Sequence, residues 1–343
     1  MRRRALVFAG PRRIEVVDDE LAAPTAGHVL VRTRVSAVSA GTELLVYRDE
    51  LPRGRPLDES LPALAAAPFA YPARYGYAAV GDVVAVGVGV PDGWLGRRVF
   101  ALQPHASAFV APLEDVLEVP PSLDAERAAL FASMETAVNL VLDGAPRLGE
   151  RVAVLGQGVV GLLATSLLAR FPLEALVVVD TVATRARRGL ALGAHAAVAD
   201  VTAARAALEG AGGAGVGPDR RADLTFELTG NPAALDDALA LTGREGRVVV
   251  GSFYGGKRAL VDLGAHFHRG RLTLISSQVS YLAPALTGRW DRARRRAAAW
   301  EALARFDAAA VVTHRLALGR AAEAYALLDA GPSEALQVLL TYE

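Results

Sequence analysis

A glycine-rich turn near the middle of the chain carries the clearest chemical signal in the sequence. It reads Gly156-Gln157-Gly158-Val159-Val160-Gly161 and lies between the short apolar strand pattern at 151–155 and an apolar helix that we expect to run to about Phe171. In a strand, turn and helix of this kind the first glycine permits the tight turn, the second lets the backbone approach a pyrophosphate, and the third lets helix and strand pack closely. Free amides at the start of the helix then face the phosphates. The turn therefore predicts six cofactor-binding residues, namely Gly156, Gln157, Gly158, Val159, Val160 and Gly161.

An acidic residue follows at the spacing that an NAD site requires. Leu176 to Val179 is a second buried strand pattern, and Asp180 closes it. A carboxylate about 20 residues after the glycine motif accepts hydrogen bonds from the ribose 2′-hydroxyl, and its charge repels a 2′-phosphate. The sequence therefore predicts NAD as the cofactor and disfavours NADP. The alternative for the whole motif is a glycine-tolerant structural turn that binds nothing.

Composition and charge restrict the classes of function. The chain has 343 residues, 52% of them hydrophobic, which is enough for two domains with sizeable cores. Lys plus Arg and Asp plus Glu both number 37, so the zero net charge argues against a nucleic-acid or membrane partner. The sequence has no cysteine, which excludes disulfides and thiolate metal sites and agrees with a reducing cytoplasm. The apolar run of the N-terminus ends at Gly10, too short for a signal peptide, so we expect a cytoplasmic protein.

The hydrophobic pattern predicts two kinds of structure along the chain. From Ala5 to about Val119, short β-branched segments are interrupted by glycine and proline, a pattern typical of a strand-rich barrel, with a long proline-rich loop at 53–74. A long apolar helix at 128–142 follows. Strands then alternate with helices, with one loop at 210–217, which indicates an α/β, doubly wound parallel sheet of the Rossmann type. The tail resembles a strand, a helix and a strand that return to the first domain.

This arrangement resembles the medium-chain dehydrogenase/reductase superfamily of alcohol dehydrogenases and quinone reductases. Besides the glycine turn, the motifs that carry the resemblance are Gly76-Tyr77-Ala78-Ala79-Val80-Gly81, Gly96-Arg97-Arg98-Val99-Phe100, Leu192-Gly193-Ala194 and Glu227-Leu228-Thr229-Gly230-Asn231-Pro232. Three features are most similar to the bacteriochlorophyllide a dehydrogenase-like branch: Ser39-Ala40-Gly41-Thr42-Glu43, Pro104-His105 and the arginine-rich end. The resemblance implies a Rossmann dinucleotide-binding domain, residues 122–283, inserted into a GroES-like catalytic domain, residues 1–121 plus 284–343.

The chain departs from the zinc-binding members of that superfamily at each ligand position. Where those members have a cysteine, a histidine, and a cysteine or glutamate, this sequence has Ala40, Tyr77 and about Ala132, none of which is a normal zinc ligand. The four-cysteine structural zinc lobe is also missing from the sequence. The resemblance thus implies a member with no zinc and no other metal. The alternative is a rebuilt site that uses His105 with Glu135 or Glu43.

Without zinc, polar side chains must hold the substrate oxygen and move its proton, which gives four catalytic candidates. Thr42 occupies the position of the family's proton-relaying hydroxyl, and the alternative is a threonine that caps a turn. Tyr77 can donate to a carbonyl oxygen or can lie in the core. His105 is either an acid/base or a satisfied structural histidine. Glu135 lies among apolar residues, so it is either functional or paired with an arginine or a helix end.

The resemblance also implies further cofactor contacts. They are Thr136 at the nicotinamide amide, Arg185 over the adenine, Thr229 and Gly230 along the path to the nicotinamide, Gly251, Ser252 and Phe253 by the ribose, and Ser276, Ser277 and Gln278 near the nicotinamide. The basic run 289–296 has two interpretations. It is either a solvated helix face or a source of arginines that bind a carboxylate or phosphate of the substrate.

Together these features predict a zinc-independent, NAD-dependent oxidoreductase that interconverts a secondary alcohol and its ketone, with a small molecule as substrate. One alternative is an NADPH-dependent quinone or enone reductase, which Asp180 disfavours. Another is a non-catalytic nucleotide-binding protein of the same fold. Family resemblance implies a homodimer, with the predicted strand 271–279 at the edge-to-edge contact.

Overall fold

The computed structural model describes residues 1–52, 54–57, 68–211, 219–331 and 334–342. The chain divides into two compact units, one formed by Met1–Ala132 with Leu303–Glu343 and the other by Ser133–Ala302. The predicted loops at 53–74 and 210–217 lie partly outside the described residues.

The described residues form 15 strands and nine α-helices. The strands are β1 (Arg2–Gly10), β2 (Arg13–Glu20), β3 (His28–Val38), β4 (Ala79–Val86), β5 (Arg98–Ala101), β6 (Ala108–Pro112), β7 (Val116–Glu118), β8 (Arg151–Leu155), β9 (Ala175–Val179), β10 (Ala196–Val198), β11 (Ala222–Glu227), β12 (Thr242–Val250), β13 (Thr273–Ser276), β14 (Val312–Ala317) and β15 (Gln337–Thr341). The helices are α1 (Ala40–Tyr47), α2 (Ala125–Ala129), α3 (Phe131–Gly144), α4 (Val159–Leu168), α5 (Ala183–Ala191), α6 (Val201–Gly210), α7 (Ala234–Leu241), α8 (Arg292–Ala304) and α9 (Ala321–Asp329). Among the described helices, none has the length and hydropathy needed to cross a bilayer.

The first unit is built on β3, the longest strand of a seven-stranded sheet. The sheet runs in the order β14-β15-β3-β4-β5-β7, with β6 paired to β3, while β1 and β2 form a separate hairpin. Side chains alternate across β3, so Arg32 and Arg34 are exposed while Thr33 and Val35 are buried. Strand β3 ends at Val38, and α1 begins two residues later at Ala40.

The second unit contains six parallel strands in the order β10-β9-β8-β11-β12-β13. Numbered along this unit, the order is 3-2-1-4-5-6, which is the doubly wound order of dinucleotide-binding domains. In such sheets ligands bind outside the carboxyl ends of the strands, at the point where the strand order reverses. That point lies between β8 and β11. The predicted fold class, a Rossmann sheet together with a separate strand-rich domain, is confirmed.

Two elements are present that the sequence analysis did not predict, and one predicted helix is divided. The short strand β7 and the helix α1 are additional, and α1 is stabilised by the burial of its apolar side chains rather than by local propensity. The predicted helix 128–142 is interrupted at Leu130, where α2 ends and α3 begins.

The contact-based units also differ from the predicted domain division at two segments. Residues 122–132 fall in the first unit, where α2 contacts β3 and β4. Residues 284–302 fall in the second unit, where Arg295 of α8 bonds to Glu135 of α3. The division at 121 and 283 therefore remains a prediction about where the domains begin.

Candidate functional site

The glycine turn joins β8 to α4 at the carboxyl edge of the parallel sheet, and its three glycines have different surroundings. Gly156 has a φ of +92°, and a Cβ there would lie 2.6 Å from the carbonyl oxygen of Leu228. A Cβ on Gly161 would lie 2.0 Å from the carbonyl oxygen of Gly156. At Gly158, by contrast, a Cβ would meet no described atom within 4 Å. Gly156 and Gly161 therefore have no room for a side chain, whereas the space beside Gly158 is open. This arrangement fits a turn in which a pyrophosphate approaches the backbone at Gly158.

The N-terminus of α4 supplies donors for such an anion. The helix starts at Val159, and among the described residues no side chain caps this end. The first-turn amides therefore have no helical partner and carry the positive end of the helix dipole. The side chain of Gln157 is fully buried, where it bonds to the Gly156 carbonyl and accepts from the Thr165 hydroxyl, so it supports the turn from inside.

Asp180 is held beside the turn by two backbone amides. Its Oδ2 accepts from the Gln157 amide at 2.7 Å, and its Oδ1 accepts from the Val182 amide at 2.8 Å. An ionised carboxylate has about four lone-pair sites, so both oxygens keep capacity for ribose hydroxyls. Arg185, the candidate adenine contact, lies in the first turn of α5, the helix that follows Asp180.

A second polar cluster lies at the carboxyl ends of β11 and β12. Glu227 is fully buried and accepts from the Thr229 amide at 2.8 Å and from the hydroxyls of Thr229 and Tyr254. The Ser252 hydroxyl accepts from the Gly230 amide at 2.9 Å. Burial and the neighbouring Glu227 raise the pKa of Tyr254 above its usual range, so its phenol remains a donor. Three predicted cofactor residues, Thr229, Gly230 and Ser252, are thus brought together by a carboxylate and a tyrosine to which the sequence analysis gave no role.

The remaining predicted cofactor contacts are dispersed over the same unit. Phe253, Ser276 and Gln278 are exposed, whereas Ser277 donates from its hydroxyl to Asp143 at 2.6 Å. Gly251 is crowded, since a Cβ there would lie 2.5 Å from the side chain of Leu140. Thr136 is partly buried in α3.

Glu135 is paired with an arginine from the basic run. The guanidinium of Arg295, only 2% exposed, donates to Glu135 from Nε at 3.1 Å and from Nη2 at 3.0 Å. Its Nη1 donates to the side chain of Asn139 at 2.8 Å. Elsewhere in the run, Arg294 stacks on the ring of Trp290 at 4.3 Å. Arg296 also lies near the Glu135 carboxylate, with its Nε 3.9 Å from Oε1, so two members of the run are partners of Glu135. The catalytic candidacy of Glu135 remains a prediction.

In the first unit, Thr42 and Tyr77 lie together and share a third hydroxyl. The Tyr77 hydroxyl donates to Oγ of Ser39 and lies 3.2 Å from Oγ1 of Thr42. All three side chains are partly buried. We call Ser39, Thr42 and Tyr77 the hydroxyl trio. The sequence analysis quoted Ser39 only as part of a family motif, and its position three residues before Thr42, at the start of α1, is the signal that would have identified it.

His105 is fully buried in the same unit, in a network that reaches the backbone of Ser39 through Glu43. Its Nε2 is 3.0 Å from Oε2 of Glu43, and its Nδ1 is 2.6 Å from Oγ of Ser36. Glu43 also accepts from the Ser39 amide at 2.8 Å and from the hydroxyl of Tyr325. Burial and the charge of Glu43 raise the pKa of Tyr325 well above its usual range, so that phenol stays protonated and donates.

The residues considered as a zinc site, both at the superfamily's ligand positions and in the alternative with His105, do not fit zinc. Within the described part of the chain, no group of three or more His, Cys, Asp or Glu side chains could hold a metal ion. In the rebuilt site considered above, His105 and Glu43 do pair, but both ring nitrogens of His105 and both oxygens of Glu43 already contact protein groups. Glu135 bonds to Arg295 instead. No tetrahedral set of nitrogen and oxygen ligands is available among these residues.

Comparison with known proteins identifies relatives of matching length. No family model matches the sequence. The chain is 26% identical, over 80% of its length and 82% of the relative's, to 2-desacetyl-2-hydroxyethyl bacteriochlorophyllide A dehydrogenase of Cereibacter sphaeroides. It is 25% identical, over 88% of both chains, to D-guloside 3-dehydrogenase of Escherichia coli K12.

Solved structures match the fold over almost the whole chain. A short chain alcohol dehydrogenase, rspB, from Escherichia coli CFT073 in complex with NADH has a TM-score of 0.78 at 18% identity, over 99% of both chains. A putative zinc-binding dehydrogenase from Sinorhizobium meliloti 1021 bound to NADP has a TM-score of 0.77 at 19% identity, over the same share. At these identities the likeness shows the fold. The relatives and structural neighbours are medium-chain, alcohol dehydrogenase-like proteins, and they include the bacteriochlorophyllide dehydrogenase branch.

Proposed function

We propose that this chain, an oxidoreductase of the medium-chain, alcohol dehydrogenase-like type, interconverts a small secondary alcohol and its ketone with NAD and without zinc. The observation that carries the proposal is the hydroxyl trio, in which Tyr77 stands at a position where zinc-binding members have a ligand. A bound nicotinamide supplies the acceptor or donor of the hydride. The residues of the chain must then orient the substrate oxygen and move one proton.

The hydroxyl trio can do both. In the oxidation direction, the C–H bond breaks with its electron pair, and the O–H proton leaves the substrate oxygen. Thr42 accepts that proton, and its own hydroxyl proton moves toward Tyr77 and Ser39. One proton in total is therefore released to solvent. In the reduction direction, a hydroxyl of the trio donates to the ketone oxygen and stabilises the negative charge that develops there.

The preference for NAD rests on Asp180. Its carboxylate is fixed beside the glycine turn by two amides, where it can accept from ribose hydroxyls and repel a 2′-phosphate. The structural neighbours include both an NADH and an NADP complex, so the argument comes from this side chain. The same charge argues against an NADPH-dependent quinone or enone reductase. The meeting of two predicted catalytic hydroxyls, Thr42 and Tyr77, supports catalysis over nucleotide binding alone.

The test is a substrate screen with Tyr77→Phe as the informative variant. The purified chain, treated with a chelator, is assayed with NAD and a series of secondary alcohols. We expect activity to survive chelation, and Tyr77→Phe to lower kcat by about 100-fold because one positioned donor is lost at the reacting oxygen. Tyr75→Phe, a fully buried neighbour whose ring meets that of Tyr77, is the matched control. Stoichiometric zinc, loss of activity on chelation, or full activity of Tyr77→Phe would contradict the proposal.

We further propose a homodimer that forms through β13. This strand is the edge of the parallel sheet, so its outer backbone groups can pair with a second copy, and Leu274 on it is 41% exposed. Sedimentation velocity should give twice the mass of the 35.9 kDa chain, and a monomer at micromolar concentration would refute this. The cytoplasmic location remains a prediction from the sequence.

A further inference from the structure

Two buried side chains that contact each other also contact both segments that carry the hydroxyl trio. Glu43 directly follows Thr42 in α1, and its Oε1 accepts from the backbone amide of Ser39. One carboxylate therefore fixes the start of the helix on which two of the three hydroxyls lie. We call Glu43 and His105 the Glu43–His105 pair.

His105 fixes the segment that carries the third hydroxyl. A Cβ on Gly76 would lie 2.7 Å from Cδ2 of His105, so the imidazole rests against the backbone of the residue before Tyr77. The φ of Gly76 is +123°, a conformation that favours glycine, so this close approach depends on the absence of a side chain. Through the Nε2 contact with Glu43, the two segments are held at one separation.

Neither member of the pair is exposed, and each is fully engaged with protein groups. Both side chains have 0% exposure. Glu43 accepts from Ser39, His105 and Tyr325, so three donors compensate for the burial of its carboxylate. His105 uses its other nitrogen on Ser36, which in turn contacts the hydroxyl of Tyr342 at 2.6 Å. A side chain so enclosed acts on the substrate only through the residues that it holds.

We propose that the Glu43–His105 pair is a positioning device that sets the separation between Tyr77 and the hydroxyls of Ser39 and Thr42. This inference rests on the proposed function, because it assigns the pair to the same site. It gives His105 a supporting role and not the acid/base role, which was one of the two interpretations offered by the sequence. The essential contact is the one from Nε2 to Glu43.

Two substitutions of His105 distinguish the contact of Nε2 with Glu43 from the contact of Nδ1 with Ser36. His105→Gln places an amide nitrogen near the position of Nε2 and can still donate to Glu43. His105→Asn has its amide near the position of Nδ1, so it can reach Ser36 but not Glu43. Neither variant titrates. They are therefore matched in chemistry and differ in whether the contact with Glu43 survives.

We expect His105→Asn to lower kcat for the alcohol by about 100-fold, the cost of a displacement of about 1 Å at a reacting group. His105→Gln should retain kcat within a few-fold, and the dissociation constant for NAD should be unchanged in both. If His105 were the acid/base, Gln would lose as much activity as Asn. Equal loss in two folded variants, or equal retention, would overturn the proposal.

A readout that needs no substrate keeps the inference independent of the proposed activity. In protein with ¹³C-labelled tyrosine, the ring signal of Tyr77, assigned by its loss in Tyr77→Phe, reports the geometry of the hydroxyl trio. This signal should move in His105→Asn and stay in place in His105→Gln. If the chain oxidises no alcohol but the signal behaves in this way, the proposed function fails while the positioning role stands. An unmoved signal in both variants refutes the positioning role.

If His105→Asn does not fold, Glu43→Gln provides the second variant. It keeps the size of the side chain, but its amide nitrogen turns one acceptor into a donor that faces the groups already donating to Glu43. The Tyr77 signal should then move and kcat should fall while NAD affinity is kept. If a folded Glu43→Gln protein keeps the wild-type Tyr77 signal and the wild-type kcat, the proposal is contradicted.

Discussion

The glycine turn of the second unit, which together with Asp180 we call the nucleotide edge, and the hydroxyl trio of the first unit are built on different principles. At the nucleotide edge the backbone determines the geometry, since Gly156 and Gly161 have no room for a side chain and first-turn amides are the donors. At the hydroxyl trio, side chains determine the geometry, and Tyr77 comes from a segment far from Ser39 and Thr42 in the sequence. A backbone-determined site is sensitive to added atoms, whereas a side-chain-determined site is sensitive to lost hydrogen bonds.

The largest expected effect comes from adding one carbon to the glycine turn. In Gly161→Ala the new Cβ would lie 2.0 Å from a backbone oxygen, so the turn must shift. We expect NAD binding to be lost, and the free energy of unfolding to fall by about 3 kcal/mol, as for severe overpacking. Isothermal titration and urea unfolding measure the two quantities.

Gly158→Ala is the matched control. The same methyl group meets no described atom within 4 Å, and the φ of −70° suits alanine. Unfolding should be nearly unchanged, while NAD affinity should fall because the methyl group occupies the space of an approaching pyrophosphate. Equal destabilisation by both substitutions would break the comparison between a crowded and an open glycine.

A loss of stability of similar size, but without loss of NAD binding, is expected at the buried pair of Glu135 and Arg295, which is determined by side chains although it lies in the second unit. Replacing Glu135 by Ala leaves the guanidinium of Arg295 buried without its carboxylate. The free energy of unfolding should therefore fall by about 3 kcal/mol. Urea unfolding of Glu135→Ala, Arg295→Met and the double variant measures the coupling, which should offset most of the cost of the single changes.

This cycle also sharpens the assignment of Glu135. A carboxylate that only supports α3 and α8 should leave kcat largely intact in a Glu135→Ala, Arg295→Met protein that folds. If kcat in that protein falls by more than about 100-fold with normal NAD affinity, Glu135 acts on the substrate or the cofactor and its catalytic candidacy is upheld.

The smallest effect is expected at Asp180. Asp180→Asn removes the charge but keeps one oxygen that can accept from the Gln157 or Val182 amide. We expect NAD affinity to fall about 10-fold, equivalent to 1.4 kcal/mol, and NADP affinity to rise because the repulsion is gone. Fluorescence titration with both cofactors provides the measurement, with Asp180→Ser as the control that also loses support for the turn. Tighter binding of NADP than NAD by the unaltered chain contradicts the use of Asp180 as a selectivity residue.

The difference between the two sites also explains how much the sequence could predict. The order of the Rossmann elements and the residues of the glycine turn were readable because local patterns specify them, with Asp180 at a fixed distance. The contacts of Glu227 with Tyr254 and of Glu43 with Tyr325 were not readable, because only the tertiary fold brings these residues together. The sequence analysis placed His105 with Glu43 only as an alternative metal site. The sequence left His105 as either an acid/base or a structural histidine, and its burial and partners in the structure argue for a supporting role.

The return of the chain to the first unit has a consequence for the order of events during synthesis. Strand β15 pairs with β3 and β14, and Tyr325 of α9 completes the hydrogen bonds of Glu43. Residues 133–302 lie between these partners and form a unit of their own. The first unit therefore cannot close while its N-terminal segment alone has left the ribosome, whereas the nucleotide-binding unit can fold as soon as it emerges. The site made of the earliest residues is the last to be finished.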